Sequence, residues 1–133
     1  MEEECKVPIH SERDIVVARQ KGRALATQLK FSVGNATMIA TAISELARNI
    51  VSYAGKGEIV MSIVHESDRT GITIVASDSG PGISDIPLAL RDGYSTSGSL
   101  GIGLPGVRRL MDEFDINSQL GHGTIITVTK WKP

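Results

Sequence analysis

Ile39-Ala40-Thr41-Ala42-Ile43-Ser44-Glu45-Leu46-Ala47-Arg48-Asn49-Ile50-Val51-Ser52-Tyr53 places Ile39, Ile43, Leu46, Ile50 and Tyr53 at three- to four-residue spacing. That is the period of one buried helical stripe. Asn35 is positioned to cap this helix, and Gly55 to end it with a left-handed residue. Immediately beyond, the period changes. Residues 58–66 and 71–77 are rich in Ile and Val and flank Ser67-Asp68-Arg69-Thr70, the pattern of an antiparallel hairpin. A helix feeding straight into a hairpin is the start of a layered α+β domain.

The flanks extend the same scheme. Val7-Pro8-Ile9 reads as an edge strand, where proline is tolerated, and Ser11 with Asp14 resembles a capping box. Ile15, Ala18, Gly22, Leu25 or Ala26, and Leu29 then form the stripe of a first helix running to about Lys30. After the hairpin, residues 78–104 are too glycine-rich for continuous regular structure, with a short helical turn expected near Ile86 to Arg91. Pro105 suits the first turn of a helix through Val107, Leu110, Met111 and Phe114, and residues 116–120 and 124–131 alternate as two strands around Gly121-His122-Gly123. The expected fold is an α+β two-layer sandwich: helices on one face of a mixed, mainly antiparallel sheet, with residues 1–133 as a single domain.

Composition bounds the function. The 133 residues favour one core, and 41% hydrophobic with 22% charged residues is ordinary globular usage. A net charge of −1 gives no general attraction to nucleic acid or to acidic membranes. The acidic N-terminus, without a signal-type apolar core or a span of about 20 apolar residues, points to a cytoplasmic protein with no membrane partner. The single cysteine, Cys5, has no partner for an internal disulfide and reads as incidental.

Three segments carry chemistry. Glu45 and Asn49, four residues apart, project from one side of the helix at the border between core and solvent. A carboxylate there can accept a hydroxyl or water proton, and an amide oxygen is a hard ligand of the kind magnesium takes. The same spacing also occurs on amphipathic helices with no site. Asp78, in Asp78-Ser79-Gly80-Pro81-Gly82, follows an apolar strand; an ionised carboxylate fixed there accepts from an exocyclic amine such as that of adenine. Gly80 and Gly82 allow close backbone approach, although the segment is equally plain turn chemistry. Gly98, Gly101 and Gly103 precede the helix start at Leu104-Pro105, where free N–H groups can hold phosphate. Residues 94–103 also have the composition of a lid. The segment is neither a P-loop nor a dinucleotide-binding turn.

Together these segments resemble the N, G1 and G2 boxes of the GHKL ATPase/kinase superfamily, over about residues 10 to 131. Ile43-Ser44-Glu45-Leu46-Ala47-Arg48-Asn49 and Gly101-Ile102-Gly103-Leu104-Pro105-Gly106-Val107-Arg108-Arg109-Leu110-Met111-Asp112-Glu113-Phe114 look like the RsbT-type switch kinases within it, the anti-sigma-factor-type serine/threonine kinases of the bacterial stressosome. The resemblance implies the Bergerat ATP-binding fold, with ATP and Mg as cofactors. It makes Glu45 the general base, Asn49 the Mg ligand and Asp78 the adenine-reading carboxylate. Gly80 and Gly82 would flank the base, Gly98, Gly101, Gly103 and Leu104 would belong to the phosphate-binding lid, and Thr124 would help bind adenine through water. Ser99 departs from the paired glycine often found in that lid. The implied partners are STAS-domain protein substrates and a PP2C-type phosphatase activated by binding.

Other classes remain open: a nucleotide-controlled binding module, a gyrase- or MutL-like ATPase, or a histidine-kinase catalytic fragment. The last would need a phosphoacceptor histidine on a helical hairpin, whereas His10, His65 and His122 occur singly. These histidines read as surface or turn residues, and Arg48, Arg91, Arg108 and Arg109 as solvated charges.

Overall fold

The hairpin expected between residues 58 and 77 is the centre of the structure, a computed structural model that describes residues 4–80, 103–119 and 121–133. In chain order the elements are β1 (Glu4–Ile9), α1 (Glu12–Gln28), α2 (Val33–Asn49), a π-helical turn (Ile50–Ala54), β2 (Gly57–Glu66), β3 (Arg69–Asp78), α3 (Gly103–Leu110), β4 (Glu113–Gln119) and β5 (Gly123–Trp131). The strands form one sheet in the order β1-β2-β3-β5-β4, and every pairing in it is antiparallel. Pro8 lies on the edge strand β1, where a missing N–H is tolerated.

The sheet alternates as a half-covered surface should. Ile59, Met61, Ile72, Ile74, Ile126 and Val128 face the helices and are buried, and they join Ile39, Ile43 and Leu46 of α2 in one core. α1 and α3 both pack against α2, which makes α2 the middle of the helical layer. α1 approaches closely at Gly22, where an added Cβ would collide with the Ile43 side chain.

Local chemistry sets the element ends. The Asp14 carboxylate accepts from the His10 and Ser11 N–H groups at 2.8 and 3.2 Å, the reciprocal half of a capping box. α2 begins at Val33, three residues earlier than a cap at Asn35 implies. Ser32 is its N-cap and accepts from the Asn35 N–H at 3.1 Å, so Asn35 is the residue being capped. After Asn49 the ladder widens by one residue, and Gly55, at φ +84°, donates to the Ile50 carbonyl at 2.8 Å. The hairpin turn is tighter than expected: only Ser67 and Asp68 stand outside the ladder, with Glu66 opposite Arg69. α3 ends at Leu110, so Phe114 belongs to β4 instead of the helix. There the Asp112 N–H donates to the Thr129 carbonyl of β5 at 3.0 Å, and Lys130 Nζ donates to the Leu110 carbonyl at 2.9 Å, drawing the chain into the sheet.

Candidate functional site

Glu45 sits in the last turns of α2 with 7% of its surface exposed, deeper than the border position its helical phase predicts. The cause is the central place of α2: flanked by α1 and α3 and backed by the sheet, it buries every residue from Ala42 to Leu46 and Ala47 as well. A carboxylate at such depth requires compensation. Arg48 supplies it, with Nη1 at 2.7 Å from Glu45 Oε1, and so is an ion-pair partner where the sequence reads as a solvated charge. Opposite charges at this i,i+3 spacing were the available sequence signal. Asn49, half-buried, is the last residue of α2, one turn beyond Glu45.

The turn that follows carries this helix end to Asp78. Gly57 lies opposite Asp78 in the β2–β3 ladder, and a Cβ placed on it would stand 2.8 Å from Ile50 Cγ2 and 3.1 Å from Asp78 Cβ. Gly80 lies against the same turn, where an added Cβ would be 2.6 Å from Ala54 Cβ. Glycine at 57 and 80 is therefore a packing requirement between the π turn and the end of β3. Asp78 is fixed as well: its Oδ1 accepts from the Gly80 N–H at 2.9 Å.

On the other side of Asp78, Thr124 of β5 is its ladder partner and is 7% exposed. The Thr124 hydroxyl lies 2.8 Å from Ser118 Oγ of β4, whose Oγ also donates to the Gly123 carbonyl at 3.2 Å. Ser118 is thus a supporting residue that its strand pattern alone did not single out. Gly123, at φ +104°, packs so tightly that a Cβ would collide with the Asp78 carbonyl.

Gly103 opens α3 at φ +64°, a backbone that glycine adopts freely. The Leu104 side chain is buried in the core at 7% exposure, so only its backbone is available to a ligand. Because α3 packs on α2, this helix start belongs to the same layer as Glu45 and Asn49. Gly82, Gly98 and Gly101, the expected lid before Gly103 and the helical turn near Ile86 to Arg91 all lie outside the described residues. His10, His65 and His122 are exposed, as expected.

A cleft of about 680 Å³ opens at this end of the sheet and is lined by Asp78, Ser79, Thr124, His10, Lys56 and His122 among others. Glu58, Ser77 and Ile125 also line it, so it wraps onto the outer face of the sheet and differs from the space beside Glu45 and Asn49. Among the described residues, no group of three or more His, Cys, Asp or Glu is arranged to cage a metal ion. A cation beside Asn49 would depend on the amide and on ligand oxygens, which is how magnesium is usually held. An anchored carboxylate at Asp78, with the buried Thr124 hydroxyl and the half-buried Ser118 hydroxyl on the neighbouring strands, can accept from a nucleobase amine.

A family model described as histidine kinase-, DNA gyrase B- and HSP90-like ATPase matches residues 34–133. The serine/threonine-protein kinase RsbT of Bacillus subtilis is 53% identical over 131 residues, covering 98% of each chain. The anti-sigma F factor of Thermoanaerobacter sp. is 30% identical over 86% of this chain and 82% of its own. Among solved structures, the RsbU and RsbW domains of a Mycobacterium tuberculosis protein superpose with a TM-score of 0.64 at 18% identity, over the whole of this chain and 33% of that one. The mycobacterial sensor histidine kinase MprB gives a TM-score of 0.56 at 12% identity over 98% and 97% of the two chains. These two structural likenesses concern the fold. Among the described residues no helix is long and apolar enough to cross a membrane.

Proposed function

Because the chain belongs to the histidine kinase-, DNA gyrase B- and HSP90-like ATPase family, we propose that it transfers the γ-phosphoryl group of ATP to a serine or threonine of a STAS-domain protein. Its enzyme class is serine/threonine-protein kinase, the class of the Bacillus subtilis relative it matches almost end to end. In the proposed reaction the protein hydroxyl forms the new O–P bond, the bond between the γ-phosphorus and the bridging oxygen of ADP breaks, and Glu45 takes the hydroxyl proton. Asp78 accepts from the adenine amine, with Thr124 and Ser118 behind it. Gly80 and Gly82 flank the base, and Gly98, Gly101, Gly103 and the backbone of Leu104 receive the phosphates. Asn49 would hold magnesium, which would neutralise phosphate charge. When not engaged with its substrate the protein would bind and activate a PP2C-type phosphatase, within a stressosome-like partner-switching system of the cytoplasm.

The observation that carries this reading is the packing of the π turn, which continues α2 beyond Asn49, against the end of β3 at Gly57, beside Asp78. It supports a base and a nucleobase reader serving one ligand. The test is phosphotransfer from γ-labelled ATP with magnesium to a cognate STAS-domain protein. Wild type is expected to label it, and Glu45→Ala to lose the transfer while its ATP affinity stays within about twofold, since a base acts in the transition state. Labelling by Glu45→Ala at the wild-type rate would remove Glu45 from this role. Release of inorganic phosphate without a labelled protein would favour a plain ATPase, and ATP binding without turnover a nucleotide-controlled binding module.

A further inference from the structure

The Glu45 carboxylate is nearly enclosed, and among the described residues its one ion-pair partner is Arg48, a turn away on the same helix. The two side chains differ in setting: 9% of the glutamate side chain is exposed against 36% of the arginine. An ordinary surface pair would have both ends in water and little consequence. Here the contact is a 2.7 Å charge-assisted hydrogen bond to one named oxygen, Oε1, which fixes the rotation of the carboxylate about its last bond. Ser44, the other buried polar side chain at this level, is turned back onto its own helix by donating to the Ala40 carbonyl at 2.9 Å, so it does not share the task.

We propose that Arg48 is a positioning residue for the phosphotransfer step: it holds Oε1 so that the carboxylate presents its other oxygen, Oε2, to the incoming hydroxyl. The proposal rests on Glu45 being the base. Arg48 itself touches neither the hydroxyl nor the phosphates in this scheme; it acts through Glu45 alone. The planar guanidinium sets a direction that a lysine ammonium, a point charge on a flexible stem, only partly reproduces.

The experiment is a double-mutant cycle in kcat for transfer from γ-labelled ATP to a cognate STAS-domain protein. It uses Arg48→Ala, Arg48→Met, Arg48→Lys, Glu45→Gln and the Glu45→Gln/Arg48→Ala pair. Arg48→Met keeps the apolar stem and stands in should the alanine variant fold poorly. The expected result is a kcat roughly 10²-fold lower for Arg48→Ala and Arg48→Met, the scale of a misplaced catalytic group. KM for ATP should stay within about twofold, because only transition-state contacts are lost. Arg48→Lys should recover a large part of the rate, and the double variant should be no slower than Glu45→Gln alone. A double variant slower than Glu45→Gln by the full Arg48→Ala factor would overturn the proposal, because Arg48 would then act independently of Glu45. A large rise in KM for ATP with unchanged kcat would overturn it too, making Arg48 a nucleotide contact. If Glu45→Gln itself keeps the wild-type rate, the base assignment fails first, an outcome distinct from either of these.

Discussion

Replacing Gly123 with alanine while using Gly121→Ala as its control separates two costs that usually arrive together. Both glycines have positive φ, +104° and +79°, so each alanine pays for a left-handed backbone, roughly 1–2 kcal/mol. Their surroundings differ: a Cβ at 121 meets nothing within 4 Å, whereas one at 123 collides with the Asp78 carbonyl and comes 2.8 Å from Ser79 Cα. Both obstacles are backbone, so no side chain can rotate out of the way, and overpacking of this kind adds about 1–3 kcal/mol. The expected totals are about 1–2 kcal/mol for Gly121→Ala and about 2–5 kcal/mol for Gly123→Ala. Urea unfolding at 25 °C measures the difference; in melting temperature it corresponds to roughly 3–5 °C per kcal/mol for a chain of this size. Displacement of Asp78 should also weaken ATP binding by Gly123→Ala relative to Gly121→Ala, as read by calorimetric titration. Equal unfolding free energies for the two variants, within about 0.5 kcal/mol, would refute the packing argument and with it the view that Gly123 holds Asp78 in place.

Asp78→Asn keeps an oxygen for the Gly80 N–H but loses the charged acceptor, worth about 1.5–3 kcal/mol; ATP should bind some tens-fold more weakly, and an unchanged titration would remove Asp78 from nucleotide recognition. Gly22→Ala should destabilise the fold by about 1–3 kcal/mol through collision with Ile43 Cδ1. Adding Ile43→Val, which deletes that methyl, should return part of the loss in denaturant titrations. Asp14→Ala removes the acceptor of two N–H groups at the start of α1 and should cost about 0.5–2 kcal/mol in thermal unfolding, with ATP affinity unaltered.

Where the sequence and the fold agree, the governing interactions are local. The Ser11/Asp14 cap, the Gly55 terminator and the hairpin each depend on residues within a turn of one another. Where they part, a distant contact decides. Phe114 continues the apolar spacing of Val107, Leu110 and Met111, yet the chain turns at Asp112 because Thr129, on another strand, accepts its N–H. Glu45 is buried because α1 and α3 both lean on α2, which helical phase counted on one helix does not contain. Ser32 caps α2 although Val33 and Gly34 behind it are weak helix formers; the bond from the Asn35 N–H compensates. The element positions of the candidate residues are readable, since Glu45 and Asn49 fall in the last turns of a helix and Asp78 and Thr124 at paired strand ends. Two of their supports are not: Ser118 and Gly57 matter through neighbours on other elements that only the folded chain supplies, whereas Arg48 stands within a turn of Glu45.

The π turn at residues 50–54 has a meaning for chain length. A ring closed from residue i to i+5 encloses one more residue than an α turn, so this segment is the place where the chain holds a spare residue between α2 and its sheet. Losing one residue here would let the turn tighten to an α turn and leave the inside-outside alternation of β2 intact. The same loss within β2 would exchange Ile59 and Met61 for Glu58 and Val60 on the core side. Among relatives of this chain, differences of a single residue in length are accordingly expected between Asn49 and Gly57 and not within the strand that follows.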